Sequence, residues 1–345
     1  MVRSTWQSTR RHAMVMMSLL VLANIAAWGW AFYVFHGHVA LMGTALLAWT
    51  YGLRHAVDAD HIAAIDNVTR KLMQQEKKPI AVGAFFSLGH STIVIFASLA
   101  IALATSHLME KGEWFQHVGG LIGTSVSALF LLALALVNLY ILRDVYRRFH
   151  GIKQGHLHAT KSDDLMVSGG LMSRLYRRLF GLIEQSWQMY FVGFLFGLGF
   201  DTATEVGLLG ISAAGSSSGL SAWSIMVFPA LFTAAMAFVD SLDNLLMVKA
   251  YGWAFEKPLR KLYYNMTITA TSVVVALFIG GLEALGLIGD QLNLSGVFWN
   301  GIEAINDNLG DAGFAVIAIM LVCWLVSLVN YRLRGYDKVD LAAKS

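Results

Sequence analysis

Arg54-His55-Ala56-Val57-Asp58-Ala59-Asp60-His61-Ile62 gathers one cation, two carboxylates and two imidazoles within eight residues. An apolar approach over 39–53 leads into it, and Ile62-Ala63-Ala64-Ile65 follows it. On a soluble surface such a cluster would be ordinary. Inside a stretch long enough to cross a bilayer, each ionisable group costs roughly 2.5–3.5 kcal/mol on insertion scales. Five together need a function.

The surroundings support a membrane reading. The chain has 345 residues, of which 57% are hydrophobic and only 14% charged, and its mean hydropathy is +0.59. A soluble domain of that size carries about a quarter charged residues, so the surplus apolar surface faces lipid. Eight apolar stretches reach the length of about 20 residues that a spanning helix requires. They lie near 14–35, 39–65, 80–105, 118–142, 187–213, 222–250, 263–288 and 312–331. The first follows Arg3, Arg10 and Arg11, as a signal peptide would, but its length and its Trp residues fit a retained anchor better.

Charge patterning gives the same count independently. Of the 25 Lys and Arg residues, 22 fall at the termini and in every second connection. The alternate connections hold only Lys111, while Arg54 and Lys249 lie within spans. By the positive-inside rule, both termini and the basic connections are cytoplasmic. The expected architecture is all-α: one polytopic domain over 1–345, with eight transmembrane helices. Its longest cytoplasmic connection, 144–186, turns amphipathic around Leu171, Leu175, Leu179 and Leu182, which suits a basic helix lying on the inner leaflet. His156 and His158 in that connection read as an ordinary solvated loop. The last external connection carries Asp290, Glu303, Asp307 and Asp311 with no basic residue.

Several function classes drop out. A net charge of +3 gives no reason to expect a nucleic-acid partner. The single cysteine, Cys323, rules out a thiolate cluster, so any metal must take nitrogen and oxygen ligands. There is no phosphate-binding glycine loop, so transport would draw on a gradient and no ATPase subunit is expected.

The spans hold further polar groups. At 100° per residue, His55, Asp58 and His61 cover an arc of about 120°, with Asp60 pointing elsewhere. One regular helix can offer them to a single ion only if it unwinds, and discontinuous helices near the midplane are a transporter device for such sites. Imidazole with carboxylate suits late transition metals rather than Mg²⁺ or Ca²⁺. The third span reads Ser87-Leu88-Gly89-His90-Ser91, placing another imidazole and two hydroxyls in the membrane. The fifth has Asp201-Thr202-Ala203-Thr204-Glu205, with its acids at i, i+4; the sixth has Asp240-Ser241-Leu242-Asp243, with its acids at i, i+3. Arg54 and Lys249 can neutralise at most two of these acids. The competing reading is an ion-pair lattice or proton relay without metal.

These residues resemble the nickel/cobalt transporter family of secondary permeases. Its His-x4-Asp-His signature is matched by His55 to His61 within Arg54–Ile62, its Leu-Gly-His-Ser by Leu88 to Ser91, and its Leu-Gly-Phe-Asp-Thr-Ala-Thr-Glu by Leu198 to Glu205. The sixth-span motif departs, with Ala235, Ser241 and Asn244 where the family tends to Gly, Thr and Gly. The resemblance implies gradient-driven, high-affinity import of Ni²⁺ or Co²⁺ through the inner membrane. The ion would be cargo and no prosthetic group is expected. Under that reading His55, Asp58, Asp60, His61 and His90 form the metal site. Arg54, Ser87, Ser91, Asp201, Thr202, Glu205, Asp240 and Asp243 support it or line a path. The alternative is an integral-membrane metalloenzyme holding a catalytic metal with the same cluster, although the further histidines of a di-iron oxygenase are missing.

Overall fold

The computed structural model describes residues 2–75, 77–103, 106–153, 183–199, 203–254 and 258–333. Among them the chain is helical with no strand. Its helices are α1 (Val2–Phe35), α2 (Val39–His55), α3 (Ala59–Gln74), α4 (Val82–Leu103) and α5 (Ser106–Lys153). After a 3-10 turn at Ser186–Gln188 come α6 (Met189–Phe196), α7 (Ala203–Ser217), α8 (Ala222–Ile225) and α9 (Val227–Ala254). The chain ends with α10 (Pro258–Gln291), α11 (Val297–Asn306) and α12 (Leu309–Leu333).

Five helical segments are long and apolar enough to cross a membrane: Thr9–Phe35, Val82–Leu103, Gly120–Tyr140, Ala222–Gly252 and Thr269–Gln291. The other three stretches expected to span behave differently. The apolar run near 312–331 supplies a shorter helix, Gly313–Ser327. The runs near 39–65 and 187–213 are each interrupted, the first between α2 and α3 and the second between α6 and α7.

The first interruption is built from local bonds. The last carbonyls of α2 are satisfied by a tight turn, with Ala56 N–H donating to Gly52 O, Val57 N–H to Arg54 O and Asp58 N–H to His55 O. Asp58 then takes an extended conformation, φ −63° and ψ 144°, and α3 starts behind it when Ile62 N–H donates to Asp58 O at 3.1 Å. The turn leaves few orphaned backbone groups in an apolar setting, where each would cost several kcal/mol. α12 seats the break from outside. A Cβ on Gly313 would come within 1.5 Å of Val57 O, so only glycine permits that backbone approach.

Two apolar clusters flank the breaks. One joins α3, the start of α4, α5, α6, the end of α9, α10 and α12 through Ile65, Val68, Phe86, Leu131, Phe196 and Ile279. The other joins α1, α2, the later part of α4, α7 and the first half of α9 through Phe35, Ala48, Val94, Leu208, Phe228 and Phe232. The buried polar groups at the breaks lie where the two clusters meet.

Three sequence expectations are revised. α3 runs on to Gln74, so Arg70 and Lys71, assigned to a cytoplasmic connection, are 1% and 5% exposed inside the fold. The connection expected over 144–186 begins as a continuation of α5 to Lys153; its amphipathic part and His156 and His158 lie outside the described residues. The last external connection contains a helix, α11.

The α4–α6 crossing is close enough to test. A Cβ on Gly193 would meet Phe86 O at 1.9 Å. Overpacking of this kind typically costs about 1–3 kcal/mol. Gly193→Ala should lower the thermal midpoint of the detergent-purified protein by several degrees. Gly29→Ala, with no atom within 4 Å of the added methyl, should leave it unchanged or raise it.

Candidate metal centre

The interruption re-aims the two halves of its stretch. His55 closes α2 and His61 lies in the first turn of α3, so the turn between them swings the second imidazole back toward the first. Their ring centroids are 4.6 Å apart. His90 enters from α4, with ring centroids 4.8 Å from His55 and 4.9 Å from His61. The three rings form a nearly equilateral triangle. One nitrogen from each lies within 4.8 Å of the others, and exposures are 1% for His55, 0% for His61 and 3% for His90. Phe86 stacks edge-on against His61 at 4.7 Å, and Phe232 lies 5.5 Å from His55, so aromatic walls keep water out.

The carboxylates orient the imidazoles. Asp58 sits at the N-cap of α3 yet does not cap it; its Oδ2 is turned back to His55 Nδ1 at 2.7 Å. Thr204 Oγ1 lies 3.1 Å from the same nitrogen. A proton on Nδ1 therefore leaves the Nε2 lone pair of His55 facing the cluster, the carboxylate–histidine arrangement of metal sites. Glu205 Oε1 is 2.7 Å from His90 Nε2 and 3.9 Å from His55 Nε2. His55 Nε2 and His90 Nε2 are 2.9 Å apart. Two lone pairs at that separation repel, so a proton stands between them. A cation bound there takes that proton's place.

His61 is the decisive side chain. It is fully buried, and neither of its nitrogens has a hydrogen-bond partner. Asp240 Oδ2 approaches its Nδ1 only to 3.5 Å, a charge contact rather than a hydrogen bond. The same Oδ2 accepts from Ser87 Oγ at 2.5 Å. A buried imidazole left bare in this way is a strong candidate for a ligand with an empty bond. Ser91, 1% exposed with an unpartnered Oγ, lies one residue beyond His90.

The remaining candidates are placed as follows. Asp60 stands apart from the triangle and accepts the backbone N–H of His61 at 2.9 Å, steadying the start of α3. Arg54 is exposed. Asp243 lies further along α9 from Asp240, with its buried Oδ2 unpartnered. Asp201 and Thr202 lie outside the described residues. Sequence reasoning overlooked Thr204, whose position immediately before Glu205 was the available signal. It also overlooked a buried polar network along α3. There Arg70 donates to Thr269 Oγ1 and Asn67 Oδ1, Asn138 donates to Asn67 Oδ1, and Ser272 and Tyr251 donate to Asp66.

Residues 41–330 match the family described as high-affinity nickel-transport protein. The high-affinity nickel transport protein of Cupriavidus necator is 53% identical over 335 residues, covering 97% of this chain and 95% of that one. The hydrogenase nickel incorporation protein HupN of Bradyrhizobium diazoefficiens is 54% identical over 314 residues, covering 91% and 82%. The cobalt transport protein NhlF of Rhodococcus rhodochrous is 35% identical over 343 residues, covering 96% of each chain. No solved structure matches.

The triangle brings His90 to the other two imidazoles from a third helix, α4. His90→Gln should weaken divalent-metal binding to the purified protein at least tenfold, because an amide substitutes poorly for imidazole with late transition metals. Ser91→Ala should cost less. Unchanged affinity in His90→Gln, read by isothermal titration, would reduce His90 to a hydrogen-bonding role.

Proposed function

The chain belongs to the high-affinity nickel-transport protein family, and from that premise we propose that it imports Ni²⁺ across the cytoplasmic membrane. The observation that carries the reading is the buried triangle of His55, His61 and His90 on α2, α3 and α4. Co²⁺ is a second cargo, supported by the relative named a cobalt transport protein. The proposed architecture is one domain with eight crossings and both termini cytoplasmic. Two of the crossings are the interrupted stretches, which supports placing the imidazoles near the midplane.

In this reading His55, His61 and His90 ligate the dehydrated cation. Asp58 holds the His55 tautomer that presents its Nε2 lone pair, and Glu205 sets a carboxylate beside the Nε2 of His90. Asp60 and Asp240 supply negative charge beside the site, Ser87 and Ser91 supply hydroxyls, and Asp243 continues the path along α9. Asp201 and Thr202 belong to the same supporting set by their place in the motif. A site shared by separate helices is dismantled when they shift relative to one another, so a tightly held ion can leave.

The energetics suffice without nucleotide hydrolysis. Two charges moving inward gain about 4.6 kcal/mol per 100 mV, at about 2.3 per charge. With tenfold for each 1.4 kcal/mol, that is an accumulation of roughly a thousandfold or more. The ion is substrate, and no prosthetic group or ATPase subunit enters the mechanism. The family relatives are named for transport, which favours permease over catalyst.

His55→Ala and His61→Ala should each abolish ⁶³Ni accumulation in cells expressing only this chain, at normal membrane levels. Wild-type uptake by either inserted variant would remove the central claim. For topology, a reporter active only outside the cytoplasm should score at Ser217 and Asn308 and stay silent at Gln75, Gln154 and the C-terminus. An external signal at Gln154 would overturn the eight-crossing arrangement.

A further inference from the structure

Along α9, Asp240, Ser241, Asp243 and Asn244 each leave a buried side-chain oxygen without a hydrogen-bond partner. Asp240 is 1% exposed, and Ser241 and Asn244 are 0% exposed. A buried polar group left unsatisfied is costly. Four in five consecutive residues of one apolar helix point to a missing occupant. At 100° per residue, Asp240, Asp243 and Asn244 fall within an arc of about 100°, with Asn244 nearly above Asp240. The Asn244 amide donates to Thr69 Oγ1 of α3 at 2.7 Å. Its side chain therefore lies in the seam between α9 and α3, and its bare Oδ1 lies there with it.

The seam also gathers buried carboxyl groups. Asp66, one turn before Thr69 on α3, is 1% exposed and interacts electrostatically with Asp243 across the seam. Asp66 is held by the hydroxyls of Ser272, at 2.6 Å, and Tyr251. Arg70 directs its terminal nitrogens to the neutral Thr269 and Asn67 instead. Among the described residues no Lys or Arg forms an ion pair with Asp66, Asp240 or Asp243. A water molecule would satisfy the bare oxygens but would not hold the carboxyl groups of the two helices together. A cation does both.

We propose that this seam is a second cation position, with Asp240 Oδ1, Asp243 Oδ2 and Asn244 Oδ1 as its oxygen ligands and Asp66 supplying charge from α3. It rests on the transport reading above and gives the ion its next stop. Asp240 serves both positions, since its Oδ2 faces His61 and Ser87 while its Oδ1 is bare. Along α9, Asp240 and Asn244 are separated by about 6 Å of rise at 1.5 Å per residue. The donor sets differ in kind. Imidazole nitrogen holds late transition cations firmly, whereas carboxylate and carbonyl oxygen hold them less well and suit harder ions such as Mn²⁺. An ion that reaches the seam is therefore held weakly and leaves.

Mn²⁺ is the probe, titrated by electron paramagnetic resonance into full-length protein in nanodiscs preloaded with one equivalent of Ni²⁺. The wild type should bind one further Mn²⁺ saturably. Asn244→Ala should weaken that event tenfold or more while leaving Ni²⁺ affinity within twofold, and Asp243→Asn should weaken it as much. Asn244→Asp should tighten it severalfold, a gain that misfolding cannot mimic. Absence of a saturable Mn²⁺ event in wild type whose Ni²⁺ binding is intact would overturn the proposal. So would Mn²⁺ affinity indifferent to both Asn244→Ala and Asn244→Asp. Ni²⁺ binding that survives His61→Ala would sink the transport site at the histidines instead, and the Mn²⁺ titration would still decide the seam.

Discussion

Backbone polar groups have to be satisfied where no water reaches them, and this single requirement fixes how the imidazoles meet. A continuous helix through 39–74 would satisfy every backbone group but fan His55 and His61 around its surface. An open loop would bring them together and strand several N–H and C=O groups in an apolar interior. The turn at Ala56–Asp58 resolves the conflict because three successive N–H groups close back onto α2 before Asp58 extends. The close approach of Gly313 to Val57 O then fixes the turn from outside. Asp58 completes the arrangement by orienting His55 instead of capping α3. His90, Glu205 and Asp240 are arranged around the point that this turn defines.

Much of this was legible in the residues, for reasons that can be stated. The arc spanned by His55, Asp58 and His61 is too wide for one ion on a regular helix, so serving a single ion called for an unwound segment, and an interruption lies there. His90 and Glu205 stood out because an ionisable group in an apolar run is conspicuous. Asp60 looked equivalent to Asp58 in sequence, since spacing does not show which carboxylate turns to an imidazole and which to a backbone N–H. Thr204 was missed because its place before Glu205 is a weak signal until its partner, His55, is known.

Arg70 shows where reading by charge gives out. A basic residue following an apolar run looks like a loop residue facing the cytoplasm, and Lys71, Lys77 and Lys78 beside it strengthen that impression. Its burial depends on Asn67, Asn138 and Thr269, which come from α3, α5 and α10. Nothing in one sequence tells which distant helices are neighbours. The same limit hid the seam between α3 and α9, where Thr69 and Asn244 are separated by 175 residues of chain.

The two apolar clusters have a consequence of an electrical kind. Each is assembled largely from its own set of helices, and the imidazoles lie at their boundary. In the transport proposed above, parting one cluster to admit water would leave the other closed as an insulating layer. Water carries the potential of its compartment up to the imidazoles, so nearly the whole membrane voltage then falls across the cluster that stays shut. The field would then be steepest where the ion is held. The thickness it must still cross is set by Ile65, Val68 and Phe86 on one side, or by Ala48, Phe228 and Phe232 on the other.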